Sequence, residues 1–274
     1  MLTSTFIFLH GVGIVTERRW WREGVLTWQA FVAQPAVAGV SSDHKRLYDR
    51  ALVLAQSDLQ DGNLGGLASR IKKHEHWRFY EQCWPNILYL DIETTGFSPH
   101  DPAGVVTVVG LYRNGRTLTL VRDETLSAEL LQAELDQCSL LVTFGGTTFD
   151  VPYLQAHFPQ LRFPVPHFDL CLACHRLGLR GGLKRLEQTM GITRNAALAE
   201  LDGSDAVRLW RQWRQGHQAA LDTLVAYNTA DTENLVPLAE LVYKEMRARF
   251  GPESVENASS AITITNNARS AFSP

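Results

Sequence analysis

Long hydrophobic runs are missing from this 274-residue chain. None reaches the roughly 18 consecutive apolar residues that a membrane helix needs, which argues against a helical span. A surplus of positive charge is missing too: 26 Lys and Arg stand against 29 Asp and Glu, a formal net charge of −3. Affinity for phosphate must then come from local basic patches or from bound cations, not from a global field. Cysteine is scarce, with only Cys83, Cys138, Cys171 and Cys174. The opening Met-Leu-Thr-Ser-Thr-Phe-Ile-Phe-Leu-His-Gly has neither a basic leader nor a small-residue cleavage site. A cytoplasmic location and reduced, core-packed thiols are therefore the expectation. Cys171-Leu172-Ala173-Cys174-His175 spells the C-x-x-C-H string of covalent haem attachment. Leu170, Leu172 and Leu177 make the same segment read as the start of a packed helix, so no haem is expected.

What is present is an ordinary globular composition, 45% hydrophobic and 20% charged, long enough for one large domain with a small appendage. Residues 1–35 read as two short helices around a Gly-rich turn, Thr16 capping the first, Gly24 ending it and Thr27 opening the second. Residues 36–85 look helical, from Arg46 to Leu59 and from Leu64 to Lys73, without a clear pattern. From Ile87 the pattern sharpens. Ile87-Leu88-Tyr89-Leu90 reads as a strand buried on both faces. Val105–Leu111 and Thr117–Val121 read as a hairpin closed by Asn114-Gly115. A helix over Leu126–Leu135, a strand over Ser139–Phe144 and a strand over Val165–Leu170 come next. Helices are expected from 171 to 249, with Pro237 kinking or dividing the last one. The tail, 251–274, is rich in Ser, Asn, Ala and Thr and is expected to be disordered. This order implies an α/β fold: a mixed sheet of about five strands flanked by helices, with a small N-terminal helical module. The expected boundaries are 1–85, 86–250 and 251–274.

Acidic residues carry the chemistry. Asp91 and Glu93 end the first core strand and, by the two-residue alternation of a strand, project from one face while Ile92 enters the core. Two adjacent carboxylates repel each other unless a cation compensates them, and hard oxygen ligands suit Mg²⁺ or Mn²⁺. Asp150 comes after a second strand end and a glycine turn; taken singly it reads as a helix cap. Asp231 lies four residues after Tyr227 on one face of a long helix, beside Leu224, Leu235 and Leu238. A carboxylate on a buried face costs several kcal/mol unless it is paired or metal-bound.

In combination, Asp91-Ile92-Glu93-Thr94-Thr95-Gly96, Phe149-Asp150 and Tyr227-x-x-x-Asp231 resemble the three motifs of the DEDD exonuclease superfamily, tyrosine-type branch. Within it the chain resembles the YprB-like ribonuclease H-like domain, through His167-Phe168-Asp169-Leu170, Gly182-Leu183-Lys184-Arg185-Leu186-Glu187, Ala206-Val207-Arg208-Leu209-Trp210 and Tyr227-Asn228 through Asn234-Leu235. The resemblance covers about residues 87–245. It implies a metal-dependent 3′–5′ exonuclease with two divalent cations, Mg²⁺ or Mn²⁺, acting on a single-stranded 3′ end of DNA or RNA. Asp91 would bridge both cations, Glu93 and Asp231 would complete one site and Asp150 the other, and Tyr227 would orient the attacking water. The chain departs from many relatives at Gly145-Gly146, where they carry Asn, and at Thr147, where they carry a basic residue.

Gly11-Val12-Gly13 with Arg18 and Arg19 resembles a helix-hairpin-helix over 7–32, a device that offers backbone N–H groups and arginines to phosphate. Thr94, Gly96, Lys184 and Arg185 are further candidate nucleic-acid contacts. Trp210 and Trp213 read as core residues. Two other functions fit the same residues: an endonuclease on this fold, or a non-catalytic nucleic-acid-binding protein with a relict site.

Overall fold

The computed structural model describes residues 1–253, which divide into two compact units, one of Met1–Gln82 with residues 243–253, the other of Cys83–Val242. The expected tail lies outside the described residues, apart from its first three.

The N-terminal unit is helical: α1 (Ile14–Arg22), α2 (Trp28–Ala33), α3 (Ser42–Gln60), α4 (Leu64–Ala68) and α5 (Tyr80–Cys83), with 3-10 turns at Leu2–Ser4 and Lys73–Phe79. Gly13, not Thr16, occupies the N-cap of α1, so the helix opens earlier than expected and Thr16 sits in its first turn. Thr27 caps α2 as expected, its side chain accepting from the Ala30 amide. Phe6, Trp20, Trp28 and Phe31 are fully buried, with Phe6 edge-on to Trp20 at 5.4 Å between ring centres. The basic-aromatic run at 72–78 contributes a buried ion cluster. Arg78 places Nη1 and Nη2 each 3.0 Å from the Glu17 carboxylate and Nε 2.8 Å from Glu75. Glu17 also accepts from the Phe6 amide at 2.7 Å. Burial pushes the Glu17 carboxyl above its usual range despite the pull of Arg78.

The second unit carries a five-stranded sheet: β1 (Ile87–Thr94), β2 (Val106–Arg113), β3 (Arg116–Val121), β4 (Leu140–Thr143) and β5 (His167–Asp169), in the order β3-β2-β1-β4-β5. β2 and β3 are antiparallel to their neighbours, while β4 and β5 run parallel to β1. This is the expected mixed sheet. Asn114 and Gly115 both take positive φ, 53° and 77°, as a two-residue hairpin turn requires. One face packs Leu88, Leu90, Ile92, Val109 and Leu111 against α6 (Ala128–Gln137) and α7 (Asp150–His157). On the other face Val108 and Val121 meet α11 (Gly203–Arg214) and α12 (Gln218–Phe250) through Leu209, Trp210, Leu224 and Tyr227. The short helices α8 (Leu170–Arg176), α9 (Leu183–Thr189) and α10 (Ala196–Ala199) link β5 to α11. Cys83, Cys138 and Cys174 are buried and free, and burial pushes each of these thiols up to about 12.

Pro237 does not divide α12, which runs unbroken for 33 residues. The proline forfeits one backbone hydrogen bond and costs about 3 kcal/mol. Leu235, Leu238, Ala239 and Val242, all 0% exposed, hold both sides of it in the core and outweigh that loss. Among the described residues, no helix is long and apolar enough to cross a membrane.

Candidate active site

The alternation of β1 decides where the carboxylates go. Leu88, Leu90 and Ile92 face α6 and α7; Asp91 and Glu93 therefore face α12, whose own periodicity brings Tyr227, Asn228 and Asp231 to the same place. One carboxylate oxygen each from Asp91, Glu93 and Asp231 lies within 4.8 Å of the other two. Burial raises all three above the ordinary carboxylate range. The charge of Asp231 adds to the shift at Asp91 and Glu93, while at Asp231 itself Arg194 pulls the other way. Like charges in a dry setting are unstable together, so this donor set fits a hard divalent cation well.

Asp150 is adjacent to this group. It is the first residue of α7 rather than its cap, the N-cap position being Phe149. Its Oδ1 instead accepts from the Ile92 amide at 3.2 Å, between Asp91 and Glu93 in the chain. Burial pushes its carboxyl up to about 7, and its charge raises Asp91 and Glu93 in turn. Asp169, quoted in the resemblance as part of His167-Phe168-Asp169-Leu170 but given no role there, braces the turn leading to Asp150. It accepts from the amides of Gly145 at 2.9 Å, Thr147 at 3.0 Å and Cys171 at 3.0 Å, the last capping α8.

Tyr227 is 5% exposed and stands one helical turn before Asp231 on α12, near enough for the two groups to shift each other's ionisation. Burial and the surrounding carboxylates push its phenol well above the usual range, so it stays protonated. Lys184 Nζ stands 5.0 Å over the Tyr227 ring, donates to the Ala199 carbonyl, and draws the Glu93 carboxyl down against the stronger effect of burial. Asn228 donates to Asp91 Oδ2 at 2.9 Å, which holds that carboxylate in place. Arg194 is paired with both Glu187 and Asp231. Arg194 carries no spacing signal, being separated from Asp231 by 37 positions, whereas Asn228 is marked only as the neighbour of Tyr227 in the string that carries the resemblance.

The remaining candidates differ in setting. Thr94 is buried, and its Oγ1 accepts from the amide of Gly96, an exposed residue at φ +85°. Arg185 is exposed. In the N-terminal unit, Gly11 and Gly13 are exposed and precede α1. Arg18 donates to the Arg249 carbonyl at 3.1 Å. Arg19 lines a cavity of about 430 Å³ with His10, Gly11, Thr16, His44 and Tyr48.

A family model described as RNase_H superfamily matches residues 88–243, more than half of the chain, and the protein belongs to this superfamily. None of the curated proteins compared with the chain matches it. Similar solved structures include the family B DNA polymerase of the hyperthermophilic archaeon Pyrobaculum calidifontis, with TM-score 0.48 and 17% identity over 62% of this chain and 26% of that one. A nuclease in its apo form gives TM-score 0.46 and 17% identity over 64% and 80%. The EXO domain of Aedes aegypti Nibbler gives TM-score 0.46 and 16% identity over 66% and 90%. This chain thus spans about a quarter of the polymerase's length.

Proposed function

We propose that the protein is a metal-dependent nuclease that hydrolyses phosphodiester bonds of nucleic acid, acting as a 3′–5′ exonuclease of the DEDD tyrosine type with a YprB-like domain at 86–250. The convergence of Asp91, Glu93 and Asp231 at the end of β1, with buried Tyr227 one helical turn before Asp231, carries this reading. Together with Asp150 these carboxylates would hold two divalent cations, Mg²⁺ or Mn²⁺, which supply an activated water and neutralise the leaving oxygen. Four carboxylates near −4 balance two such ions.

The chain's own residues then have separable tasks. Asn228 fixes the orientation of Asp91. Asp169 fixes the turn before Asp150. Tyr227, a protonated phenol, positions a water by donation rather than by removing its proton. Lys184 supplies a positive charge for a substrate phosphate, with Thr94, Gly96 and Arg185 as neighbouring contacts. In the helical module, 1–85, Gly11, Gly13, Arg18 and Arg19 form a helix-hairpin-helix-like contact with the nucleic-acid backbone.

The test uses 3′- and 5′-end-labelled single- and double-stranded DNA and RNA with Mg²⁺, Mn²⁺ or EDTA, beside an Asp91→Ala/Asp231→Ala variant. Metal-dependent shortening from the 3′ end, lost in the variant, is the expected result. Internal cuts would make it an endonuclease. No cleavage, with binding that survives in the variant, would overturn the catalytic reading.

A further inference from the structure

The carboxylate cluster has an internal cation. The Arg194 side chain is 6% exposed and lies between Glu187, 2% exposed, and Asp231, 9% exposed. Its contacts are unequal. Nε and Nη2 grip Glu187 as a fork, at 3.0 Å and 2.7 Å, whereas only Nη1 reaches Asp231. A guanidinium cannot shed its proton, so once buried it must keep an anionic partner. One carboxylate satisfies that need. Two is one more than the charge requires, and the two-donor pair with Glu187 is the self-sufficient one. The single bond to Asp231 is the one that can be exchanged.

We propose that Arg194 is a displaceable counter-cation for Asp231: it holds this carboxylate while no divalent cation is bound, gives it up when one enters, and stays buried on Glu187 in both states. The inference rests on the reading of Asp91, Glu93 and Asp231 as a cation site. It assigns Glu187 a task that α9 packing alone does not, which is to keep the guanidinium partnered after Asp231 has turned to the cation. Asp91 and Glu93 have no such competitor in hydrogen-bond contact among the described residues, since Asp91 is held by the neutral amide of Asn228. The positive charge at Asp231 therefore sets how tightly the cation binds, and it does so without touching substrate. Arg194 is a positioning residue in this account.

The experiment is a Mn²⁺ titration of the full chain by electron paramagnetic resonance of free Mn²⁺, on wild type, Arg194→Gln and Glu187→Gln, each checked for folding by circular dichroism. Arg194→Gln removes the competitor and should tighten Mn²⁺ binding about tenfold, the scale of one unit charge taken from beside a ligand. Glu187→Gln leaves Asp231 as the only carboxylate on Arg194 and should weaken binding about three- to tenfold. Opposite signs are the signature, because structural damage would weaken both. Arg194→Gln that binds Mn²⁺ no more tightly than wild type overturns the inference alone. If that variant does not fold, Glu187→Gln decides: unchanged or tighter binding overturns it. Wild type that binds no Mn²⁺ overturns the cation-site reading and this inference with it.

Discussion

Gly110 faces Asp91 across the β1–β2 pair, and substituting it should damage the site from a residue buried inside the sheet. The space in which a side chain would lie is already filled from α12, by Thr232 Oγ1 and Asn228 Oδ1, with Asn228 Cγ 3.1 Å from the Cβ position. Both α12 residues are 0% exposed, so neither can swing out to water. Gly110→Ala must therefore push α12 off β2 or turn Asn228, whose amide holds Asp91. Overpacking a closed core costs about 1–3 kcal/mol. Losing a hydrogen bond to a charged group adds about 1.5–3 kcal/mol. Some relaxation will be shared between the two, so we expect a loss of roughly 2–4 kcal/mol, a fall in melting temperature of about 5–15 °C, and weaker Mn²⁺ binding. Urea unfolding and thermal melts measure the first, and Mn²⁺ titration the second. Thr232→Ala removes the nearest obstruction, so the double variant should recover at least about 1 kcal/mol relative to additivity. Stability within about 0.5 kcal/mol of wild type for Gly110→Ala, or a strictly additive cycle, would refute the reasoning.

Three further outcomes are expected. Tyr227→Phe should slow phosphodiester hydrolysis by about 10²- to 10⁴-fold while leaving Mn²⁺ affinity within about twofold; full activity would remove the hydroxyl from the reaction. Burial raises Asp150 from 3.8 to about 7, so its contribution to stability is present at low pH and is lost as pH rises through about 7. Melts without divalent cation should therefore fall across pH 5–7 while Mn²⁺ binding strengthens over the same window, since ligands must be ionised to bind; a rising melting temperature there would contradict the assignment. Arg78→Met should cost about 3–5 kcal/mol by urea unfolding, because it leaves Glu17 and Glu75 buried without their shared cation.

Much of the sheet is legible in the sequence because its signals are local. Asn114-Gly115 closes a hairpin, and the short apolar run before Asp91 reads as a strand covered on both faces. Asp91, Glu93, Tyr227 and Asp231 are legible for the same reason, since strand and helix periods place each on a known face. Asp150 is ambiguous in sequence, because a residue opening a helix and a residue bonding the next strand look alike until β1 and β4 are side by side. Arg194 and Gly110 leave no such trace, and Asp169 is quoted in the resemblance without a role. Their roles come from tertiary approach: a linker folding back on α12, a strand end meeting a turn, and a helix pressed onto a strand. At Pro237 the division that a local breaking tendency allows is overruled by packing that only the complete core supplies.

The alternation of β1 has a consequence for how this chain can tolerate length changes. A residue inserted between Ile87 and Asp91 would reverse the parity of the rest of the strand, sending both carboxylates toward the apolar layer of Leu131 and Leu154 and bringing Ile92 out to Asp231. Beyond Glu93 the constraint lapses, because the pairing with β2 already slips between Glu93 and Thr94. An extra residue there can be absorbed as a wider bulge. Two points a few residues apart thus sit on either side of a sharp divide in mutational tolerance: insertion is ruinous before Asp91 and survivable after Glu93.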